Sequence, residues 1–243
     1  MEISLQLWSI KEEVEEDFAH ALELTAQAGY QGVEFAGYHG KSPAQLWELL
    51  ATYNLKAVST HAGIDRLRMA LDEEIEYAKA LGYRLIVCPW SECKTGEQVI
   101  EDAKFLESCA KKALKEGITI GYHNHNQEFR KFGGRYAMDI MLEHMPSVKF
   151  EPDVFWIAYG LVDPVRYLKP LAAAGRIAAI HAKELDHEGP DNVYIGQGKI
   201  DFAGIAALCP PNKYPWIVEQ EEFSSDHFDG ISKSYQGLRK IIG

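Results

Sequence analysis

The chain has 243 residues and a mass of 27.4 kDa, a length typical of one α/β barrel. Its formal net charge of −11 argues against a nucleic-acid partner, which usually requires a basic stripe that neutralises phosphates. No apolar run approaches the roughly 18 residues that a bilayer span needs, so we expect no membrane segment. The start MEISLQLWSI carries no signal-peptide pattern and the cysteines form no C-x-x-C pair, which predicts a cytoplasmic protein without disulfides.

Short apolar runs alternate with helical patterns along the chain. An amphipathic pattern over 14–29 follows the first run, and Gly29, Gly82 and Gly117 each come where a helix is expected to end in a left-handed cap. Eight β–α units predict a single (β/α)8 TIM barrel over residues 1–243. The alternative, an open doubly wound sheet, often carries a G-x-G-x-x-G fingerprint after its first strand, which this chain lacks. The predicted strands are about 3–8, 32–36, 55–60, 84–88, 118–123, 147–152, 176–182 and 214–220.

Several late strands end in side chains that bind divalent metals. Asp153 follows KFEP, His181 follows the apolar run RIAAI, and Glu219 ends PWIVE. The C-terminal ends of barrel strands ring one mouth, so these side chains are expected to meet there. A charge at the end of a buried strand is costly unless it is paired or metal-bound. Carboxylates and imidazoles suit Mn²⁺, Mg²⁺, Zn²⁺ or Co²⁺, although each residue alone also fits a salt bridge or a helix cap.

The fifth predicted strand is the richest in polar side chains and reads GYHNHNQEF over 121–129. Strand alternation sends His123 and His125 to the same side, where both can touch a metal or a substrate. Glu128 lies three residues beyond His125, in the following loop, from which it can swing back as a ligand. The alternative is a hydrogen-bonded structural pair of histidines.

Other strand ends add aromatic and polar groups near the same rim. Aromatic faces with a few hydrogen-bonding groups suit a sugar-sized polyol, so we predict a substrate-binding role for these residues. Simple packing is the alternative for each. They are Trp8, Glu34, His61, Trp90 and Trp156.

Together these residues resemble the xylose isomerase-like barrel superfamily of sugar phosphate isomerases and epimerases. The similarity is most specific in GYHNHNQEF at 121–129, DVFWIAYGLVDP at 153–164, HAKE at 181–184 with GQGKIDF at 196–202, and VEQE at 218–221. The resemblance implies one divalent ion, Mn²⁺ most often, held by two glutamates, an aspartate and a histidine from four late strands.

Three of these ligands match Asp153, His181 and Glu219, whereas the first glutamate is displaced. Where ketose 3-epimerases carry that glutamate, this chain has Gly121. The chain is more similar to a YHNH-type subgroup with a phenylalanine-flanked glutamate. The resemblance therefore implies Glu128 as the fourth ligand, with His123 or His125 as the competitor.

The implied function is a metal-dependent isomerase or epimerase of a keto sugar or related polyol, acting through an enediolate. Glu219 with His123 or His125 is expected to move the proton, and Lys183 to stabilise the developing negative oxygen. Lys183 and Glu184 match the Lys-Asp pair that follows the histidine in the superfamily, which places Glu184 near the substrate. The rim shows no clear basic cluster, which favours an unphosphorylated sugar.

Other functions stay open. A lyase shares the first steps and then expels a leaving group, as in an inosose dehydratase or in elimination from a 3-keto glycoside. A non-catalytic sugar-binding barrel is the alternative from a different class. The abasic-site endonucleases of the same superfamily would need a basic groove, which an acidic chain does not suggest. Barrels of this type often associate as homo-oligomers, but the sequence identifies no interface.

Overall fold

Eight parallel strands alternate with helices in the computed structural model, which describes residues 2–243. Each strand is short, and most of its apolar residues are almost completely buried. The strands are β1 (Ile3–Gln6), β2 (Gly32–Phe35), β3 (Lys56–His61), β4 (Leu85–Cys88), β5 (Thr119–His123), β6 (Lys149–Glu151), β7 (Ile180–Ala182) and β8 (Trp216–Val218).

The strands pair in the order β6–β5–β4–β3–β2–β1–β8–β7. Two isolated parallel bridges, Phe150 with Ile177 and Asp153 with His181, join the two ends of this sheet and close the ring. The predicted (β/α)8 barrel is confirmed. The second bridge also sets two of the predicted metal ligands side by side.

The helices pack around the barrel and connect successive strands. They are α1 (Lys11–Glu16), α2 (Phe18–Gln27), α3 (Pro43–Thr52), α4 (Ile64–Leu81), α5 (Gly96–Leu114), α6 (Ala137–His144), α7 (Val154–Tyr159), α8 (Pro164–Ala173), α9 (Phe202–Leu208) and α10 (His227–Ile242). Short 3₁₀ turns cover Leu7–Ile10 and Gln127–Phe129, and two small hairpins pair Lys131–Phe132 with Arg135–Tyr136 and Glu184–Leu185 with Asn192–Val193. None of the described helices is long and apolar enough to cross a bilayer.

Local signals explain most helix boundaries, with one difference from expectation. The pattern over 14–29 forms two helices, because the Asp17 carboxylate accepts the N–H groups of Ala19 and His20 and starts α2 anew. Gly29, Gly82 and Gly117 have φ angles of 105°, 84° and 72°, the left-handed conformation predicted for helix ends.

The interior of the barrel is filled below the mouth. Leu85, Val87, Ala179 and Ile217 form a small apolar cluster inside the ring, separate from the large core between strands and helices. Gly121 faces this cluster, since a Cβ atom there would lie 3.1 Å from side-chain atoms of both Leu85 and Val87. The barrel is therefore closed below, and its polar strand ends form the floor of a cavity open at one side.

Candidate active site

Two overlapping groups of metal-ligand atoms lie at the C-terminal ends of the strands. The outer group consists of His123, Asp153, His181 and Glu219. The inner group consists of His61, His123, Glu151 and His181. In each group, one nitrogen or oxygen atom per residue lies within 4.8 Å of the others. The chain therefore brings together, in the outer group, three of its four predicted ligands.

His181, which is fully buried, lies between carboxylates on both sides of its ring. Its Nδ1 atom is 3.0 Å from Glu219 Oε2 and 3.6 Å from Asp153 Oδ2. Its Nε2 atom is 2.8 Å from Glu34 Oε1. The imidazole thus connects the outer group at the mouth with a carboxylate on β2.

Asp153 is positioned by the asparagine between the two histidines. Asn124 accepts the Asp153 N–H at 3.0 Å and donates to the Asp153 carbonyl oxygen at 3.3 Å. Asp153 Oδ1 accepts the Trp156 N–H at 3.0 Å and caps α7. Since Oδ1 is engaged in this way, Oδ2 is the oxygen that faces His181. The His-Asn-His sequence of β5 therefore supplies cavity groups and a fixed neighbour for the aspartate.

The outer group fits a divalent cation. Asp153 Oδ2, His181 Nδ1 and His123 Nδ1 are buried atoms without hydrogen-bond partners. The close approaches of His181 Nδ1 to two carboxylates lack hydrogen-bond geometry. A buried polar atom without a partner costs about 1–3 kcal/mol, a cost that a cation bound to these atoms would remove. Two imidazoles and two carboxylates form a donor set that suits Mn²⁺, Zn²⁺ or Co²⁺.

Below the outer group, His61 separates two buried carboxylates. Its Nε2 atom is 3.1 Å from Glu34 Oε1 and 3.0 Å from Glu151 Oε2. Burial raises the pKa of Glu151 to about 7, and the charge of Glu34 adds to this effect. Burial alone would also raise the pKa of Glu34, but His61 and His181 hold it well below its usual range. Burial likewise opposes the charge on His61, yet the two glutamates raise its pKa to about 10.

The groups nearest the cavity differ in charge. Burial lowers the pKa of His125 to about 4, and it lowers that of His123 well below the usual range, so both rings are neutral at pH 7. Burial would raise the pKa of Glu219, but Lys183 and His181 lower it to about 2. A neutral imidazole and an ionised carboxylate are thus both available to accept a proton.

A cavity of about 390 Å³ opens above the outer group. Trp8 and Trp90 stand at its rim with 47% and 48% of their surface exposed, far more than the buried tryptophan of β8. His125 lies next to Trp90, with ring centres 4.8 Å apart, and next to Trp156 at 5.2 Å. The lining consists of Trp8, Ala36, His61, Pro89, Trp90, His123, His125, Glu219 and Glu221. Two carboxylates and several aromatic faces suit a neutral polyol of monosaccharide size.

Lys183 is held beside this cavity. Its ammonium group pairs with Glu221, which lines the cavity, and lies 4.9 Å from the ring centres of both Phe155 and Trp156. The side chain is almost completely buried, so its charge is little screened by water. This placement explains why Lys183 lowers the pKa of Glu219.

Glu128 is not brought together with the other predicted ligands. Its carboxylate accepts the Tyr122 hydroxyl at 2.5 Å and the His125 N–H at 2.8 Å, and it belongs to neither ligand group. The 3₁₀ turn Gln127–Phe129 folds the side chain back against β5. His123, the competitor in the sequence analysis, takes its place in the outer group.

Glu184 also has a role other than the one expected. Its carboxylate accepts N–H groups from Leu185, Gly196 and Ile200 at 3.1, 3.1 and 2.9 Å, and it is absent from the cavity lining. It therefore anchors the loop that contains GQGKIDF, rather than facing a substrate.

Comparison with known proteins assigns the family. Residues 22–241 match the profile of the xylose isomerase-like TIM barrel. The chain belongs to this family. No curated protein gives a significant match.

Several solved structures superpose over nearly the whole chain. A sugar phosphate isomerase/epimerase from Parabacteroides distasonis has 22% identity and a TM-score of 0.81, covering 100% of this chain and 95% of that one. A probable 3-DHS dehydratase, AsbF, from Bacillus anthracis has 13% identity and a TM-score of 0.76 over 98% and 99% of the two chains. An L-ribulose 3-epimerase has 19% identity and a TM-score of 0.72 over 99% and 96%. At these identities the similarity shows the fold alone.

Two residues of this xylose isomerase-like site were not found from the sequence. Glu151 in KFEP precedes Asp153 by two residues, so strand alternation could have indicated that both face the mouth. Glu221 in VEQE stands in the same relation to Glu219 and lines the cavity.

Proposed function

We propose that this protein is a divalent-metal-dependent isomerase or epimerase of a keto sugar or a related polyol. The observation that supports it most is the outer group, whose buried ligand atoms lack partners at the floor of a sugar-sized cavity. Sugar epimerases among the structural neighbours agree with this reaction class.

His123, Asp153, His181 and Glu219 would hold the ion, and Mn²⁺ is our first choice over Mg²⁺, Zn²⁺ or Co²⁺. When bound, such an ion polarises a carbonyl as a Lewis acid and so acidifies the neighbouring C–H bond. The residues around it then need to move a proton and stabilise the resulting charge.

Glu219 and His125 are the proposed proton-transfer groups. Both line the cavity, and at pH 7 the first is ionised and the second is neutral. One group removes the proton from the carbon next to the carbonyl and, now protonated, returns it to the neighbouring carbon, which gives isomerisation. For epimerisation, the other group takes a proton from water and adds it to the opposite face of the same carbon, while the first group loses its proton to water. His123 is assigned to the ion rather than to the proton, because it belongs to both ligand groups.

Lys183 and the tryptophans are the proposed substrate contacts. Lys183 supplies a fixed positive charge near the oxygen that becomes negative, and Glu221 holds its ammonium group in place. Trp8, Trp90 and Trp156 would cover the apolar faces of a sugar ring. The described lining of the cavity contains no arginine or lysine, which favours an unphosphorylated sugar.

A lyase or dehydratase is the second candidate, and the position of Glu128 favours it. With that carboxylate turned away, Glu219 is the single glutamate of the outer group. The neutral imidazole of His125 would then remove the carbon-bound proton and, as the resulting imidazolium, deliver it to the leaving hydroxyl or glycosyloxy group. The reaction would eliminate water or an alcohol instead of moving a hydrogen between carbons.

The two reactions are separated by incubating the Mn²⁺-loaded protein with a panel of keto sugars and 3-keto glycosides in D₂O. An isomerase or epimerase gives recovered sugar of unchanged composition with one deuteron on carbon. A lyase gives an unsaturated product and releases water or an alcohol. A protein that binds no divalent ion and exchanges no deuterium would contradict both reactions and favour a sugar-binding barrel.

A further inference from the structure

We infer that Glu34 is a positioning residue that keeps the proton of His181 on Nε2, so that the Nδ1 lone pair faces the outer group. The inference rests on the proposed metal site. It reassigns Glu34, which the sequence analysis placed with the substrate, to a layer beneath the metal ligands.

Glu34 is completely buried at the end of β2, and three donor groups meet at one of its oxygens. Oε1 is 2.7 Å from Gln6 Nε2, 2.8 Å from His181 Nε2 and 3.1 Å from His61 Nε2. These partners come from β1, β7 and β3, so the carboxylate connects strands across the mouth of the barrel. Glu34 Oε1 is thus an acceptor surrounded by nitrogen atoms.

The orientation of Gln6 fixes the direction of this network. Gln6 Oε1 accepts the Trp8 N–H at 3.0 Å, so its amide nitrogen must face Glu34 and donate to it. The Glu34 oxygen is then an acceptor toward His181 as well, which requires hydrogen on Nε2. His181 Nδ1, which lies 3.0 Å from Glu219 Oε2 without a hydrogen bond, can then offer its lone pair to a cation shared with that carboxylate.

A second ion in the inner group is the competing explanation for the buried glutamates. The His181 nitrogen on that side is Nε2, 4.0 Å from Glu151 Oε2, and this atom already lies at hydrogen-bond distance from Glu34 Oε1. The same nitrogen cannot donate a hydrogen bond and bind a metal at once. The structure therefore assigns one ion per chain, with Glu34 as the acceptor behind its histidine ligand.

Isothermal titration of the metal-free protein with Co²⁺ or Mn²⁺ tests this assignment. Loss of such outer-shell partners typically weakens metal binding about 10–100-fold, and we expect this for Glu34→Ala. Glu34→Gln keeps an acceptor oxygen and should lose less. Glu107→Gln is the matched control, since Glu107 is a buried acid on α5 that accepts two hydrogen bonds from Ser147, in the turn between α6 and β6. The visible spectrum of bound Co²⁺ should change in the Glu34 variants alone, with one ion per chain throughout.

Several results would overturn the inference. Unchanged affinity and Co²⁺ spectrum in both Glu34 variants, even with a lower Tm, would mean that Glu34 is only structural while the metal site stands. Two ions in the wild type and one in Glu34→Ala would make the inner group a metal site. A wild type that binds no ion would overturn the proposed function and this role together. If Glu34→Ala does not fold, Glu34→Gln and Gln6→Leu, which removes the donor that holds Glu34, decide by the same readouts.

Discussion

Two buried carboxylates at neighbouring strand ends differ in their hydrogen bonding. Glu184 follows β7 and accepts three backbone N–H groups, which satisfy its charge within the protein. Asp153 follows β6 and keeps one oxygen without any partner. Both residues are almost completely buried, so burial of an acid does not identify a metal ligand. What distinguishes Asp153 is that its unsatisfied oxygen lies 3.6 Å from the equally unsatisfied His181 Nδ1, so a cation placed between them would satisfy both atoms.

The largest expected effect is the loss of metal binding when Asp153, the carboxylate with an unsatisfied oxygen, or its neighbour His181 is replaced. Asp153→Ala and His181→Ala should each weaken Mn²⁺ binding more than about 100-fold, beyond the range for residues outside the ligand set. Metal analysis after dialysis and titration calorimetry measure this loss. Asp163→Ala is the matched control, since Asp163 caps α8 as Asp153 caps α7 but lies outside the outer group. Full ion content in both ligand variants would refute the outer group as a metal site.

For Glu184, whose carboxylate is fully hydrogen-bonded, we expect a loss of stability without a loss of metal binding. Glu184→Ala removes the acceptor of three N–H groups in the loop between β7 and α9, and should destabilise the protein by about 2–4 kcal/mol. The ion content should stay that of the wild type. Urea unfolding gives the stability, and limited proteolysis should show earlier cleavage within 185–201. A variant of normal stability that lost its ion would place Glu184 among the metal-binding residues instead.

Sequence periodicity was sufficient to predict the barrel and the meeting of three residues of the outer group, and both follow from the same physical reason. Parallel strands of a closed barrel end at one mouth, so residues such as Asp153, His181 and Glu219 must meet there whatever the loops do. Glu128 could not be placed in this way, because its direction depends on a 3₁₀ turn and on the hydroxyl of Tyr122. The direction of a side chain in a loop does not follow the two-residue alternation of a strand, so sequence periodicity cannot predict it.

The sequence also could not predict how far below the barrel mouth a strand residue lies. Glu34 was predicted at the rim, yet its carboxylate lies beneath the mouth among Gln6, His61 and His181. Residues that alternate on one face differ in height by about 7 Å, so a small error in where a strand ends moves a side chain from the cavity to its floor. Whether the side chain lies in the cavity or beneath it depends on its hydrogen-bond partners on other strands.

Glu128 gives a third test, through the dependence of stability on pH. Burial raises its pKa to about 7 in the folded protein, above the ordinary value of 4.5. Between these pH values the folded state holds a proton that the unfolded state has lost. Its contribution is therefore greatest below pH 4.5 and declines as the pH rises to about 7, by up to about 3 kcal/mol.

Replacing Glu128 with glutamine removes this titration. Urea unfolding of the metal-free protein at intervals from pH 5 to 8 should show the wild type losing stability relative to Glu128→Gln. Glu107→Gln serves as the control, because the Glu107 pKa is lowered and its loss should not flatten the curve in this range. Parallel curves for wild type and Glu128→Gln would mean that Glu128 is ionised throughout, as a metal ligand would be.

The smallest expected effect concerns the cavity above both carboxylates. Trp90→Ala removes an exposed aromatic face from the rim, where a sugar ring would pack against it. Once a turned-over sugar is known, its KM should rise up to about 10-fold in this variant while kcat changes little, because the indole lies apart from the outer group. Trp47→Ala is the control, since Trp47 on α3 is 59% exposed but does not line the cavity. A fall in kcat at constant KM would instead place Trp90 against the reacting carbon, where His125 is its nearest aromatic neighbour.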